Sequence, residues 1–165
     1  MNTDKALEFY TKALGFSIES EAEFDSVEKV DQAVGLKHVR AKTVMLRAGN
    51  IFLELWHYSS PKPKDLRSRA CDFGYPHFAL QVDDIAYEYE RLKKFGMEFV
   101  GDIVEFDKKS SAIYGRDPCG NLIEIYEIKN AETPQLDRDK LGLALSHADW
   151  FWWQRDRKST RLNSS

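Results

Sequence analysis

The feature that most restricts this chain's fold is an internal repeat. The segment DKALEFYTKALGF, starting at Asp4, returns as DIAYEYERLKKFGMEF, starting at Asp84, 80 residues on. A second pair, GNIFLEL from Gly49 and GNLIEIYE from Gly120, follows each copy in the same order. One long period repeated once marks a duplicated module, not a solenoid of short repeats. Each half must therefore build the same supersecondary unit, and the two must share a core.

The second copy is the fuller one. In the stretch Tyr75–Ile128, His77, Ala79 and Gln81 alternate with Phe78, Leu80 and Val82, the period of a strand. Asp83 and Asp84 offer an N-cap. Ile85, Tyr89, Leu92 and Phe95 then recur at helical spacing, and Gly96 ends the helix. Three strands are expected near Met97–Glu105, Ser111–Tyr114 and Leu122–Ile128, so the unit reads β-α-β-β-β.

The first copy matches it from the helix onward. Asp4–Gly15 reads as a helix with Asp4 as N-cap, Leu7, Tyr10 and Leu14 inward, and Gly15 as its stop. Phe16–Phe24 reads as a strand, and Asp25–Leu36 as a polar stretch with one helical turn. Val39–Ala48 and Ile51–Tyr58 read as a hairpin turned at Gly49–Asn50. His77 lies seven residues before Asp84, and seven residues before Asp4 falls ahead of Met1. This copy is thus expected to lack an opening strand and any residue matching His77.

The expected fold class is α+β, two such modules with a C-terminal helical extension. The divisions are residues 1–58 and 75–129 for the modules, with a Pro- and Lys-rich linker over 59–74. Residues 130–153 form the extension, whose Trp150, Phe151, Trp152 and Trp153 suit packing against another surface. Residues 154–165 form a tail; its last nine, RKSTRLNSS, resemble translated cloning sequence and are set aside.

A net charge of −3 over 165 residues leaves no electrostatic footprint for nucleic acid. No apolar run approaches the ~20 residues that cross a bilayer. Cys71 and Cys119 lack metal-type spacing and read as reduced thiols of a cytoplasmic protein. Against this plain background two carboxylates stand out. Glu54 sits in the strand Ile51–Tyr58 and Glu124 in Leu122–Ile128, each among Leu, Ile and aromatic residues. A carboxylate there is costly to bury unless it is paired or holds a metal.

Taken together, the helix ALEFYTKALGF and strand AGNIFLELWHY, then GYPHFALQVDD and YGRDPCGNLIEIYEI, resemble the vicinal oxygen chelate superfamily. That group holds glyoxalase I, methylmalonyl-CoA epimerase, extradiol dioxygenases and the fosfomycin and bleomycin resistance proteins. The resemblance covers roughly Asp4–Ile128 and implies that the two modules form an open, incomplete mixed-sheet barrel. It implies a divalent metal (Zn, Ni, Mn, Co or Fe) bound by a substrate with neighbouring oxygens. It places Glu54, His77 and Glu124 as metal ligands, with Glu124 or Glu54 also acting as base. The family's fourth ligand, a His on the first strand of the first module, has no counterpart here. Trp56, Gln81, Tyr126 and Arg40 are expected in the substrate pocket. Turn-forming Arg116, Asp117, Pro118 and Gly120 are expected to act structurally.

The chemistry this implies is polarisation of a carbonyl for proton-transfer isomerisation or lyase chemistry. Two alternatives stay open at this point. One is an Fe(II) extradiol-type dioxygenase; the other is a metal-free resistance protein that sequesters an aromatic or cationic drug. A homodimer is expected with each, because an open barrel exposes strand edges.

Overall fold

The computed structural model describes residues 3–67 and 69–129. The expected C-terminal extension and tail lie outside these residues.

The chain begins with α1 (Thr3–Glu8), which widens into a π-helical turn over Phe9–Ala13. Asp4 therefore sits inside the first turn and is not the cap expected. The wide turn is seen in the Leu14 N–H bond to the Phe9 carbonyl, 3.1 Å. One extra residue per turn rotates the inward stripe. Ala6, Phe9, Tyr10, Ala13 and Leu14 are buried, while Leu7 is only half-buried. Gly15 follows at φ +72°, the left-handed stop the sequence indicates.

β1 (Ser17–Asp25), β2 (Arg40–Ala48) and β3 (Ile51–Ser60) form an antiparallel sheet in that order. α2 (Glu28–Val34) interrupts the β1–β2 connection. Ala48 pairs with Ile51, so Gly49 and Asn50 make the expected two-residue turn, with Gly49 at φ +58°. β3 runs on to Ser60, two residues further than its apolar pattern.

The second module opens with β4 (His77–Val82) and α3 (Ile85–Lys94). The Asp84 carboxylate accepts the Tyr87 N–H at 2.9 Å, which caps α3. Basic Arg91, Lys93 and Lys94 in the last turn complement the helix dipole. Asp84→Ala should cost about 1 kcal/mol, read as a lower urea midpoint at unchanged slope.

The long strand expected over Met97–Glu105 is broken into β5 (Glu98–Phe99) and β6 (Val104–Phe106). Gly101 and Asp102 between them favour a bend over a continuous ladder. β7 (Ser110–Arg116) pairs with both pieces and with β8 (Leu122–Ile128). β4 lies parallel to β8, so the second sheet runs β4-β8-β7-β5, with β6 also on β7.

The sheets carry the repeat into space. β3 and β8 correspond, as do Glu54 and Glu124. β8 has β4 on its outer side; among the described residues β3 pairs only with β2. One core joins the halves, with Phe9, Tyr10 and Leu46 from the first and Leu92, Ile123 and Ile125 from the second. Each such aliphatic side chain, fully buried, contributes roughly 1.5–3 kcal/mol. Among the described residues no helix is long and apolar enough to cross a membrane.

Candidate active site

Register brings three polar side chains to one face of the second sheet. His77 on β4 pairs with Leu122, and Ala79 with Glu124. Tyr114 on β7 pairs directly with Glu124. Since side chains alternate, His77, Glu124 and Tyr114 emerge on the same side. The His77 Nε2 lies 3.3 Å from Glu124 Oε2 and 3.4 Å from the Tyr114 hydroxyl. The His77 Nδ1 is buried with no hydrogen-bond partner. Burial pushes the Tyr114 phenol up, and the charge and hydrogen bond of Glu124 push it further.

Glu54 is placed differently. It is exposed, not buried among apolar neighbours as its strand pattern suggests, because the face of β3 that carries it is open. Arg47 on the neighbouring strand donates to the Gly49 carbonyl at 2.9 Å and stands over the Phe52 ring. Glu54 and His77 nonetheless line one cavity of about 780 Å³, between β3 and the start of β4, with Tyr10, Trp56, Phe78 and Leu122 among its walls. The linker crosses this cavity through Pro63–Arg67 and Tyr75–Pro76.

Two donor atoms on one tetrahedral ion, each bonded at about 2.1 Å, lie about 3.4 Å apart. The His77–Glu124 separation of 3.3 Å fits that spacing. An imidazole and a carboxylate suit a borderline divalent ion. Among the described residues, however, no three His, Cys, Asp or Glu side chains converge closely enough to hold an ion. The donors assembled are a pair; Glu54 lines the same cavity as His77 without joining them.

Of the other expected pocket residues, Trp56 lines the cavity. Gln81 and Tyr126 share the His77 face in register with each other, further along β4 and β8. Arg40 is exposed at the end of β2 remote from the Gly49 turn.

Four contributors went unnoticed in the sequence. Tyr114 could have been found by folding β7 onto β8 about the Asp117–Asn121 turn, which sets it opposite Glu124. Phe24 and Tyr58 flank Trp56 in a stack of rings, with centroids 5.6 Å and 5.4 Å from it. Burial and then the Glu54 charge push the Tyr58 phenol up. Arg67 carries no local signal; its side chain lies where a Cβ on Gly120 would sit, and it pairs with Asp65.

Asp117 is structural, as the turn pattern indicates. It is buried and accepts from the Cys119 N–H, the Asn121 N–H, the Asn121 side-chain amide and the Tyr10 hydroxyl, at 2.8–2.9 Å. The last bond ties the first module's helix to the second module's turn.

Duplicated α+β modules, with two sheets meeting at a cavity that holds an imidazole and carboxylates, define the vicinal oxygen chelate fold. The chain belongs to the Glyoxalase/Bleomycin resistance protein/Dioxygenase superfamily, whose profile matches residues 1–125. It is 30% identical over 125 residues to the uncharacterized protein YurT of Bacillus subtilis (strain 168), covering 75% of this chain and 89% of that one. Among solved structures it is similar to a glyoxalase family protein from Bacillus cereus, with a TM-score of 0.70 and 26% identity over 78% of this chain and 88% of that one. A glyoxalase family protein from Enterococcus faecalis shares the fold at a TM-score of 0.55 and 23% identity, over 76% and 89% of the two chains.

Proposed function

We propose that this chain is a metal-dependent enzyme of the glyoxalase type, performing proton-transfer isomerisation or lyase chemistry on a small carbonyl compound with an adjacent oxygen. The observation that carries the reading is the 3.3 Å approach of His77 Nε2 to Glu124 Oε2, with His77 lining the same cavity as Glu54. His77 and Glu124 would supply two donors to the divalent ion, and Glu54 does not join them as a third among the described residues. Such an ion, when bound, polarises a carbonyl and makes the neighbouring C–H more acidic.

The chain's own groups would do the rest. The Glu124 carboxylate accepts the proton at an oxygen, and Glu54 is the second candidate base. The Tyr114 hydroxyl, kept protonated by burial and by Glu124, holds the imidazole and carboxylate in register. The single-sided pairing of β3 and β4 among the described residues supports a homodimer, since bare edges invite a partner.

Equilibrium dialysis of metal-stripped protein against Zn, Mn, Co or Ni tests the reading. One ion per complete site is expected, with uptake lost in His77→Ala and in Glu124→Ala. Uptake undiminished in Glu124→Ala would remove the assignment.

A further inference from the structure

We infer that the Trp-rich end of the segment 130–153, which follows the described residues, docks in an apolar groove on the second sheet. Register defines the groove. Phe106 pairs with Ser110, and Ser110 with Ile128; one side-chain repeat away, Val104 pairs with Ala112, and Ala112 with Tyr126. Opposed residues share a face, so all six emerge on the side that bears Glu124 and Tyr114. On β7 the small, buried Ser110 and Ala112 form the floor. Val104 and Phe106 on β6, 49% and 52% exposed, make one bank, and half-buried Tyr126 and Ile128 on β8 the other. The banks stand two strand spacings apart, about 9.6 Å, which leaves room for an indole between them. Among the described residues, none of the six lines the cavity of Glu54 and His77.

The place where the chain leaves β8 selects the occupant. Ile128 belongs to a bank of the groove, and the Lys129 N–H bonds the Lys109 carbonyl at 2.8 Å, which holds the exit beside the β6–β7 turn. Trp150 follows 21 residues after Lys129. Even at the helical rise of about 1.5 Å per residue that length spans about 31 Å, and β6 lies only about 14 Å from β4 across the sheet. Leu141, Leu145 and Ala148 recur at helical spacing and lead into Trp150, Phe151, Trp152 and Trp153, which supply large apolar rings. Charge agrees: Lys108 and Lys109 are exposed at the turn, and residues 130–139 carry Glu132, Asp137 and Asp139 against Arg138 alone. Of the other exposed rings, Phe52 lies under the Arg47 guanidinium and Tyr75 lines the cavity. Tyr126 stands one side-chain repeat from Glu124, so a docked indole screens that end of the site face from water.

Tryptophan emission of the full chain tests this, with Trp56→Phe in every sample so that Trp150, Trp152 and Trp153 report alone. Emission to the blue of free indole, unchanged on dilution, is expected. Phe106→Asp sets a carboxylate in the groove and should lower the docked-to-free ratio at least about tenfold, moving emission to the red and raising acrylamide quenching. Phe73→Asp, at an exposed ring outside the groove, should change neither. A second set of variants leaves the sheet intact. With Trp150, Trp152 and Trp153 all replaced by Ser, the bared groove should bind more anilinonaphthalene sulfonate than the Trp56→Phe parent, and adding Phe106→Asp should remove the gain. Free-indole emission in the parent, emission unmoved by Phe106→Asp, or no gain in dye binding would overturn the inference. Blue emission that turns red on dilution, as sedimentation shows a dimer dissociating, would give the groove to a second copy and overturn it equally.

Discussion

Asp117→Ala is expected to destabilise the fold by about 3–5 kcal/mol, since several hydrogen bonds to a charged group, each worth about 1.5–3 kcal/mol, are lost together. The carboxylate accepts four hydrogen bonds, and deleting it removes the Asp117 partner of the buried Tyr10 hydroxyl and of the Cys119 and Asn121 N–H groups at once. Tyr10→Phe deletes one donor and leaves the acceptor its other three, so about 1.5–3 kcal/mol is expected. Because the two side chains are partners, the double variant should cost less than the sum. Urea unfolding of the four proteins measures this, and strict additivity would show that the bond does not couple the modules.

The same bond has a pH signature. Burial raises the Tyr10 phenol far above its ordinary value, and the Asp117 charge and hydrogen bond add to the shift. A group whose folded pKa is raised contributes stability that is fully present below its unfolded value, about 10 for tyrosine, and lost above it. Stability should therefore fall as pH climbs past about 10, and Tyr10→Phe should flatten that fall.

Glu124→Gln is expected to lower the proton-transfer rate by about 10²–10⁴-fold, the usual contribution of a positioned base. The change keeps shape and hydrogen-bonding length, so the fold should be preserved. Deuterium wash-in beside the carbonyl of phenylpyruvate in heavy water, above the uncatalysed rate, reads the step without knowing the product. Glu54→Gln run in parallel distinguishes the two candidate bases. Exchange at the unmodified rate in Glu124→Gln would rule Glu124 out as the base.

Local signals were readable where one short segment decides the outcome. Asp84 caps α3 and Gly96 follows it at φ +89°, because cap and stop chemistry depend on a few adjacent residues. That His77 and Glu124 share a site came from the family resemblance, since alternation within each strand does not say which strands lie side by side. α1 was harder. Helical spacing gave the stripe Leu7, Tyr10 and Leu14, but packing both Phe9 and Tyr10 into the core requires the π turn. β5 and β6 read as one strand because hydrophobicity does not register a bend.

Glu54 marks where the reading of a strand stops being enough. Its alternation with Leu53 and Leu55 says which face it shares with Trp56, but not what covers that face. Burial depends on which strand lies alongside and which sheet lies opposite, and both are contacts between distant segments. By itself the chain's residue order determined the duplicated module and the family, and through that resemblance it singled out His77 and Glu124. Only the tertiary structure decided that Glu54 stands exposed beside a cavity it shares with His77, that Tyr114 joins the pair, and that rings from β1 and β3 form one stack. Periodicity is a property of neighbours in the chain, whereas a site is assembled from segments that only folding brings together.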